Sequence, residues 1–196
     1  MARDSSIIFI TGGVRSGKSQ FAEELAAEIW HQEASGGLHY IASMQASDKE
    51  MTKRIARHQE GRRQSGLEWH TWEKPMSIGE LAPSFHGNEF VLFDCLTTWL
   101  NNELFFSPDG WQDEEFLASL SAKMLEGIAM IAKRVRALII VSNEVLHEPL
   151  GDNELIITYS KLLGKLHQSI VKDCREAYLV DMGIPLQMKG VRQCVE

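Results

Sequence analysis

The sequence predicts an α/β domain in which a mostly parallel central sheet is covered by helices on both faces. Three observations carry the prediction. Short apolar runs alternate with longer stretches of helical spacing along the chain. The runs are near-continuous in their apolar residues, the pattern of strands buried on both faces. Each run ends in a small or polar residue, at the strand end where open sheets of this class bind ligands.

Five runs read as strands: "SIIFIT" from Ser6 to Thr11, "LHYIAS" from Leu38 to Ser43, "EFVLFD" from Glu89 to Asp94, "ALIIVS" from Ala137 to Ser142 and "EAYLVD" from Glu176 to Asp181. Helical spacing fills Lys18 to Trp30, Asp48 to Glu60, Trp111 to Arg136 and Asn153 to Cys174. A further helix starts in "CLTTWLNNELF", directly after Asp94. "SPDGWQDEE", Ser107 to Glu115, reads as a helix-start loop with Asp109 or Gly110 near the cap. At 196 residues and 22.1 kDa the chain is expected to form one domain, residues 1–196, with a core large enough to need no staples.

Charge and cysteine usage narrow the function classes. Lys+Arg 20 against Asp+Glu 27 gives a net charge of -7, which argues against a general nucleic-acid surface. Cys95, Cys174 and Cys194 are an odd number without CxxC spacing, which fits a reduced cytoplasm better than a disulfide framework or a zinc site. The opening "MARDSSIIFITGG" is too short in its apolar part for a signal-peptide core, and no later run approaches membrane-spanning length.

The strongest chemical signal is "GGVRSGKS", comprising Gly12, Gly13, Val14, Arg15, Ser16, Gly17, Lys18 and Ser19. It satisfies GxxxxGK followed by Ser or Thr, and it stands where the motif must, after one strand and before one helix. Successive backbone N–H groups and the helix N-terminus would wrap a phosphate, Lys18 would reach the outer phosphates, and the Ser19 hydroxyl would ligate Mg²⁺. The fold class is therefore a P-loop NTPase-like α/β domain. A metal held this way needs a second oxygen ligand, and Asp94 ends an apolar strand at the same rim. The competing reading makes Asp94 the cap of the helix that follows. "VSNE" brings Asn143 and Glu144 to the rim as well, as ligand contacts or as a polar loop.

"EMTKRIARHQEGRR", Glu50 to Arg63, sets His58 among five basic residues in an acidic chain. With Asp48 as cap, Arg54 lies one turn before His58 on the same helical face, Met51 and Ile55 turn toward the sheet, and Gly61 is a plausible stop. Neighbouring Arg54, Arg57, Arg62 and Arg63 disfavour imidazolium, so they favour a neutral ring able to attack phosphorus while attracting an anionic triphosphate. A solvated histidine on a charged helical face is the alternative.

A resemblance weighs on that choice. "FITGGVRSGKSQFAEELA", "YIAS", "DKEMTKRIARHQEGR", "WHTWEKP", "VLFDCLTTWLNN" and "VSNEV", in this order, resemble the bifunctional adenosylcobinamide kinase/adenosylcobinamide-phosphate guanylyltransferase family of cobalamin biosynthesis. The likeness runs from about Ile7 to Val145. It implies that His58 becomes covalently guanylylated, that Gly12 to Ser19 hold the triphosphate with Lys18 catalytic, and that Ser19 and Asp94 hold Mg²⁺. It extends the nucleotide site over Ser43, Met44 and Gln45, over Arg54, Gln59, Glu60, Gly61 and Arg62, and over Glu73 and Asp94. ATP or GTP would donate the phosphoryl group and GTP the guanylyl group, to a small-molecule corrinoid, in a cytoplasmic homo-oligomer that the family suggests is a trimer. The C-terminal third departs from the family pattern at Leu146, Ile157, Ser160, Lys161 and His167, where arginines that could hold phosphate are missing. Two other readings fit much of the same sequence: a P-loop kinase of another small alcohol without guanylyl transfer, and a non-catalytic nucleotide-gated interaction protein.

Overall fold

The computed structural model describes residues 6–33, 36–44, 56, 59–63, 65–107, 109–144 and 153–190. In chain order the elements are β1 (Ile7–Gly12), α1 (Lys18–Glu33), β2 (Leu38–Ala42), β3 (Trp69–Glu73), a 3-10 helix (Ile78–Ser84), β4 (Phe90–Asp94) and α2 (Leu96–Leu104). A short 3-10 turn (Gly110–Gln112), α3 (Glu114–Ala132), β5 (Ala137–Asn143), α4 (Glu154–Asp173), β6 (Glu176–Asp181) and β7 (Ile184–Lys189) follow. The sheet order is β3-β2-β4-β5-β1-β6-β7. Neighbours pair in parallel except β6 and β7, which form an antiparallel hairpin.

Strand pleating divides the core into two layers. Ile8, Ile10, Tyr40, Leu92, Ile139 and Val141 face α1 and pack with its Ala22 and Ala26. Their sequence neighbours Ile7, Phe9, Ile41, Val91, Phe93, Leu138 and Ile140 face the other way, into a core completed by the 3-10 helix, α2, α3 and α4. Each large apolar side chain buried this way contributes about 1.5–3 kcal/mol. The expected mostly parallel sheet with helices on both faces is the observed architecture. Among the described residues, no helix is long and apolar enough to cross a membrane.

The five expected strands are present with ends shifted by at most about a residue, and β3 and β7 are additional. Both additions lie at sheet edges. β7 has Ile184, Leu186 and Met188 exposed and contains Pro185, so neither continuous burial nor strand composition marks it. The expected cap at Asp109 or Gly110 is corrected. Asp113 caps α3, its carboxylate accepting the N–H groups of Glu115 and Phe116, while Gly110 is buried in the preceding 3-10 turn. Asn153 caps α4 in the same manner. Of the expected helix Asp48 to Glu60, only Ala56, Gln59 and Glu60 are among the described residues. Residues 59–63 are helical, so Gly61 does not end that helix. Arg62 is buried against α1 and β2, and that packing outweighs the low helix propensity of one glycine.

Candidate active site

The carboxyl ends of the parallel strands form one rim. Gly12 of β1 is level with Asn143 of β5, Asp94 of β4 with Val141 of β5, and Ala42 of β2 with both Asp94 and Glu73. The loop after β1 turns tightly into α1, whose first residue is Lys18. A Cβ on Gly12 would run into the Val180 carbonyl oxygen and lie 2.6 Å from Ser16 Oγ, so a side chain there would open the turn. Arg15 takes φ 62 and Gly17 φ 91, and the Ser16 N–H donates to Gly13 O at 3.2 Å. Behind the loop, the Gly183 N–H of the β6–β7 turn donates to Ser16 O at 2.8 Å and fixes its height. Lys18 is buried and donates from Nζ to Gly13 O at 3.1 Å, which lays the ammonium along the loop. Ser19, one residue into α1, is 9 % exposed. The loop thus leads into a helix whose first two residues are a lysine and a serine, the sequence order and turn geometry of a phosphate-binding loop.

Asp94 stands across β5 from the loop, 4 % exposed, with Oδ2 accepting the Tyr40 hydroxyl at 3.2 Å. It does not cap α2, because Cys95 occupies that position. Ser43 clamps β2 to β4: its N–H donates to Asp94 O, and its hydroxyl accepts the Cys95 N–H at 2.8 Å and donates to Cys95 O at 2.9 Å. Asn143 Nδ2 donates to Thr97 Oγ1 at 2.8 Å.

A second group converges beside β2. Met44, Gln59, Arg62 and Glu73, all expected nucleotide contacts, line one cleft with Tyr40, Ala42 and Thr71. The space enclosed between the described side chains is ≈ 30 Å³, room for a water or two. Arg62 anchors the group. It is 6 % exposed, pairs with Glu23 of α1 at 3.1 Å, and lies 3.7 Å above the Tyr40 ring centroid. A desolvated cation–π contact of this kind is worth about 2 kcal/mol. Burial, then the Asp94 charge, pushes the Tyr40 phenol well above its ordinary range, so it stays a hydrogen-bond donor. Glu60 is exposed and pairs with Arg63 at 3.9 Å, while Gly61 faces Glu23. Gln45, Arg54 and His58 lie outside the described residues.

Of the C-terminal departures, Ile157, Ser160, Lys161 and His167 belong to α4, and Leu146 lies outside the described residues. His167 is buried, with Nε2 2.8 Å from Ser142 Oγ and the ring edge-on to Phe9. Burial lowers its pKa, which favours the neutral ring of a core histidine. Sequence reasoning missed Tyr40, Thr71 and Glu23. The signal available for Tyr40 was its hydroxyl, since a tyrosine in a buried strand needs a polar partner.

A family model described as cobinamide kinase / cobinamide phosphate guanyltransferase matches residues 8–188. The bifunctional adenosylcobalamin biosynthesis protein CobP of Pseudomonas aeruginosa is 36% identical over 183 residues, covering 92% of this chain and 96% of that protein. The corresponding protein CobU of Escherichia coli is 31% identical over 189 residues, covering 93% and 99%. Among solved structures, the flagellar accessory protein FlaH from Methanocaldococcus jannaschii is similar with TM-score 0.47 and 12% identity, covering 94% of this chain and 78% of that one. The match over residues 8–188 to the family model, and over 92% and 93% of the chain to the two bifunctional proteins, makes the chain a transferase belonging to the cobinamide kinase / cobinamide phosphate guanyltransferase family.

Proposed function

We propose that this protein phosphorylates adenosylcobinamide with a nucleoside triphosphate and then transfers GMP from GTP, through a guanylylated His58, to adenosylcobinamide phosphate. The observation that carries the reading is the convergence on one rim of the Gly12–Ser19 loop and the cleft of Met44, Gln59, Arg62 and Glu73.

In the first step the acceptor hydroxyl oxygen bonds to the γ-phosphorus and gives up its proton to water, the bond to the bridging oxygen breaks, and the nucleoside diphosphate leaves with that electron pair. The loop amides and Lys18 hold the outer phosphates as charge moves onto the leaving oxygen, so catalysis is positioning and neutralisation. Asp94 and Ser19 offer hard oxygen donors, which suit Mg²⁺. Bound there, Mg²⁺ supplies charge neutralisation across the phosphates.

In the second step neutral His58 bonds to the α-phosphorus of GTP and pyrophosphate departs. A phosphate oxygen of adenosylcobinamide phosphate then displaces the imidazole and yields adenosylcobinamide-GDP. Arg62 and Arg54 would meet the charge on the transferring group. The same reading takes the protein to be a single cytoplasmic domain acting as a homo-oligomer on corrinoid and nucleotide.

Incubation with adenosylcobinamide, GTP and Mg²⁺ should convert the corrinoid first to its phosphate and then to the GDP adduct by mass spectrometry. A product that stops at the phosphate would leave a kinase only. Asp94→Asn should raise the Mg²⁺ needed for half-maximal phosphoryl transfer by at least about tenfold with little change in melting temperature, because an amide is a poorer ligand than a carboxylate.

A further inference from the structure

We infer that Tyr40 is a positioning residue shared by both half-reactions, its hydroxyl orienting Asp94 and its ring carrying Arg62. The inference rests on the proposed function and concerns how its two sites are joined. β2 lies between β4 and β3, and Tyr40 is level with Leu92 on one side and Thr71 on the other. A side chain at the centre of this strand can reach both neighbours' ligand ends. The phenol donates to Asp94 Oδ2 at 3.2 Å, and the guanidinium of Arg62 sits over the face of the same ring at 3.7 Å.

These two contacts use different parts of one side chain. A hydrogen bond to a buried carboxylate fixes which oxygen remains available to a metal, the outer-shell role that commonly sets metal affinity. The ring face orients a planar cation, whose Nη1 also donates to Glu23 Oε1 at 3.1 Å. Tyr40 is 2 % exposed on a strand paired on both sides. Asp94 belongs to the phosphoryl-transfer rim, while Arg62 lines the cleft with Gln59 and Glu73. One side chain therefore spans two reaction centres.

The two contacts are separable by substitution. Tyr40→Phe removes the hydroxyl and keeps the ring, Arg62→Lys keeps the charge and loses the flat stacking surface, and Tyr40→Leu removes both contacts. Tyr40→Phe should raise the Mg²⁺ requirement of phosphoryl transfer about tenfold while the GTP KM of guanylyl transfer moves less than about threefold. It should also reduce, by a similar factor, the gain in affinity for a fluorescent GTP analogue on adding Mg²⁺. Arg62→Lys should give the converse pattern, a GTP KM raised about tenfold with the Mg²⁺ requirement nearly constant. Tyr40→Leu should combine both defects, and if it does not fold, the first two variants still decide. A Tyr40→Phe protein whose Mg²⁺-dependent affinity equals that of the unmodified protein would overturn the inference, as would equal movement of both parameters in Tyr40→Phe and Arg62→Lys. If the unmodified protein modifies no cobinamide, the proposed function fails. The affinity comparison then still judges the hydroxyl's part, and analogue affinity in Arg62→Lys judges the ring's.

Discussion

Lys18→Ala is expected to lower phosphoryl transfer to adenosylcobinamide by at least about 10³-fold, the scale seen when a preorganised charge is removed from a phosphoryl-transfer or oxyanion site. That factor corresponds to about 4 kcal/mol of barrier. The fold should be spared. Lys18 is the first residue of α1, alanine is the best helix former, and the hydrogen bond from Nζ to Gly13 O lies within the loop itself. The melting temperature should therefore move by no more than about 4 °C, the equivalent of about 1 kcal/mol in a chain of this size. Initial-rate measurements at saturating nucleotide, paired with thermal denaturation, check both halves. A variant that keeps its turnover would remove the loop from the mechanism.

His58→Asn is expected to abolish guanylyl transfer, by on the order of 10⁴-fold or more, because asparagine offers no ring nitrogen to attack phosphorus. Phosphoryl transfer should continue, since the γ-phosphoryl needs no covalent relay. The separation is the informative part. Gln59 and Arg62, which follow His58 by one and four residues, line the cleft beside β2, whereas Lys18 and Asp94 stand at the loop and across β5 from it. Assaying adenosylcobinamide phosphate and adenosylcobinamide-GDP separately in the variant distinguishes a lost nucleophile from a general loss of nucleotide binding, which would depress both products.

How much of this was legible in the sequence follows from what each feature depends on. β1, β4 and β5 announce themselves because they are buried on both faces, and burial leaves an apolar run. The phosphate loop is legible because its requirements are local: a tight turn, a glycine at 12 where a Cβ collides and one at 17 with positive φ, and a lysine and a serine at the helix start. β3 and β7 are not, because edge strands keep exposed residues and their pairing is decided by neighbours distant in sequence. Arg62 shows the same limit from another side. Expected among the nucleotide contacts, it is also 6 % exposed, held by a glutamate 39 residues away and a tyrosine on β2, neither of which a run of arginines announces. Tyr40 meets Asp94 only because β2 and β4 are adjacent, which no local pattern encodes.

The central claim is a histidine that carries GMP, and the most direct measurement is incubation of the unmodified protein with GTP labelled at the α- or the γ-phosphorus, with Mg²⁺ and no corrinoid, followed by denaturation. Attack at the α-phosphorus expels pyrophosphate, so α-label should remain on the protein and γ-label should not. A phosphorus–nitrogen bond to imidazole should be lost in acid and persist in alkali, the reverse of an acyl phosphate, and His58→Asn should carry no label. Absence of retained α-label, retention of γ-label, or full α-labelling of His58→Asn would contradict the account.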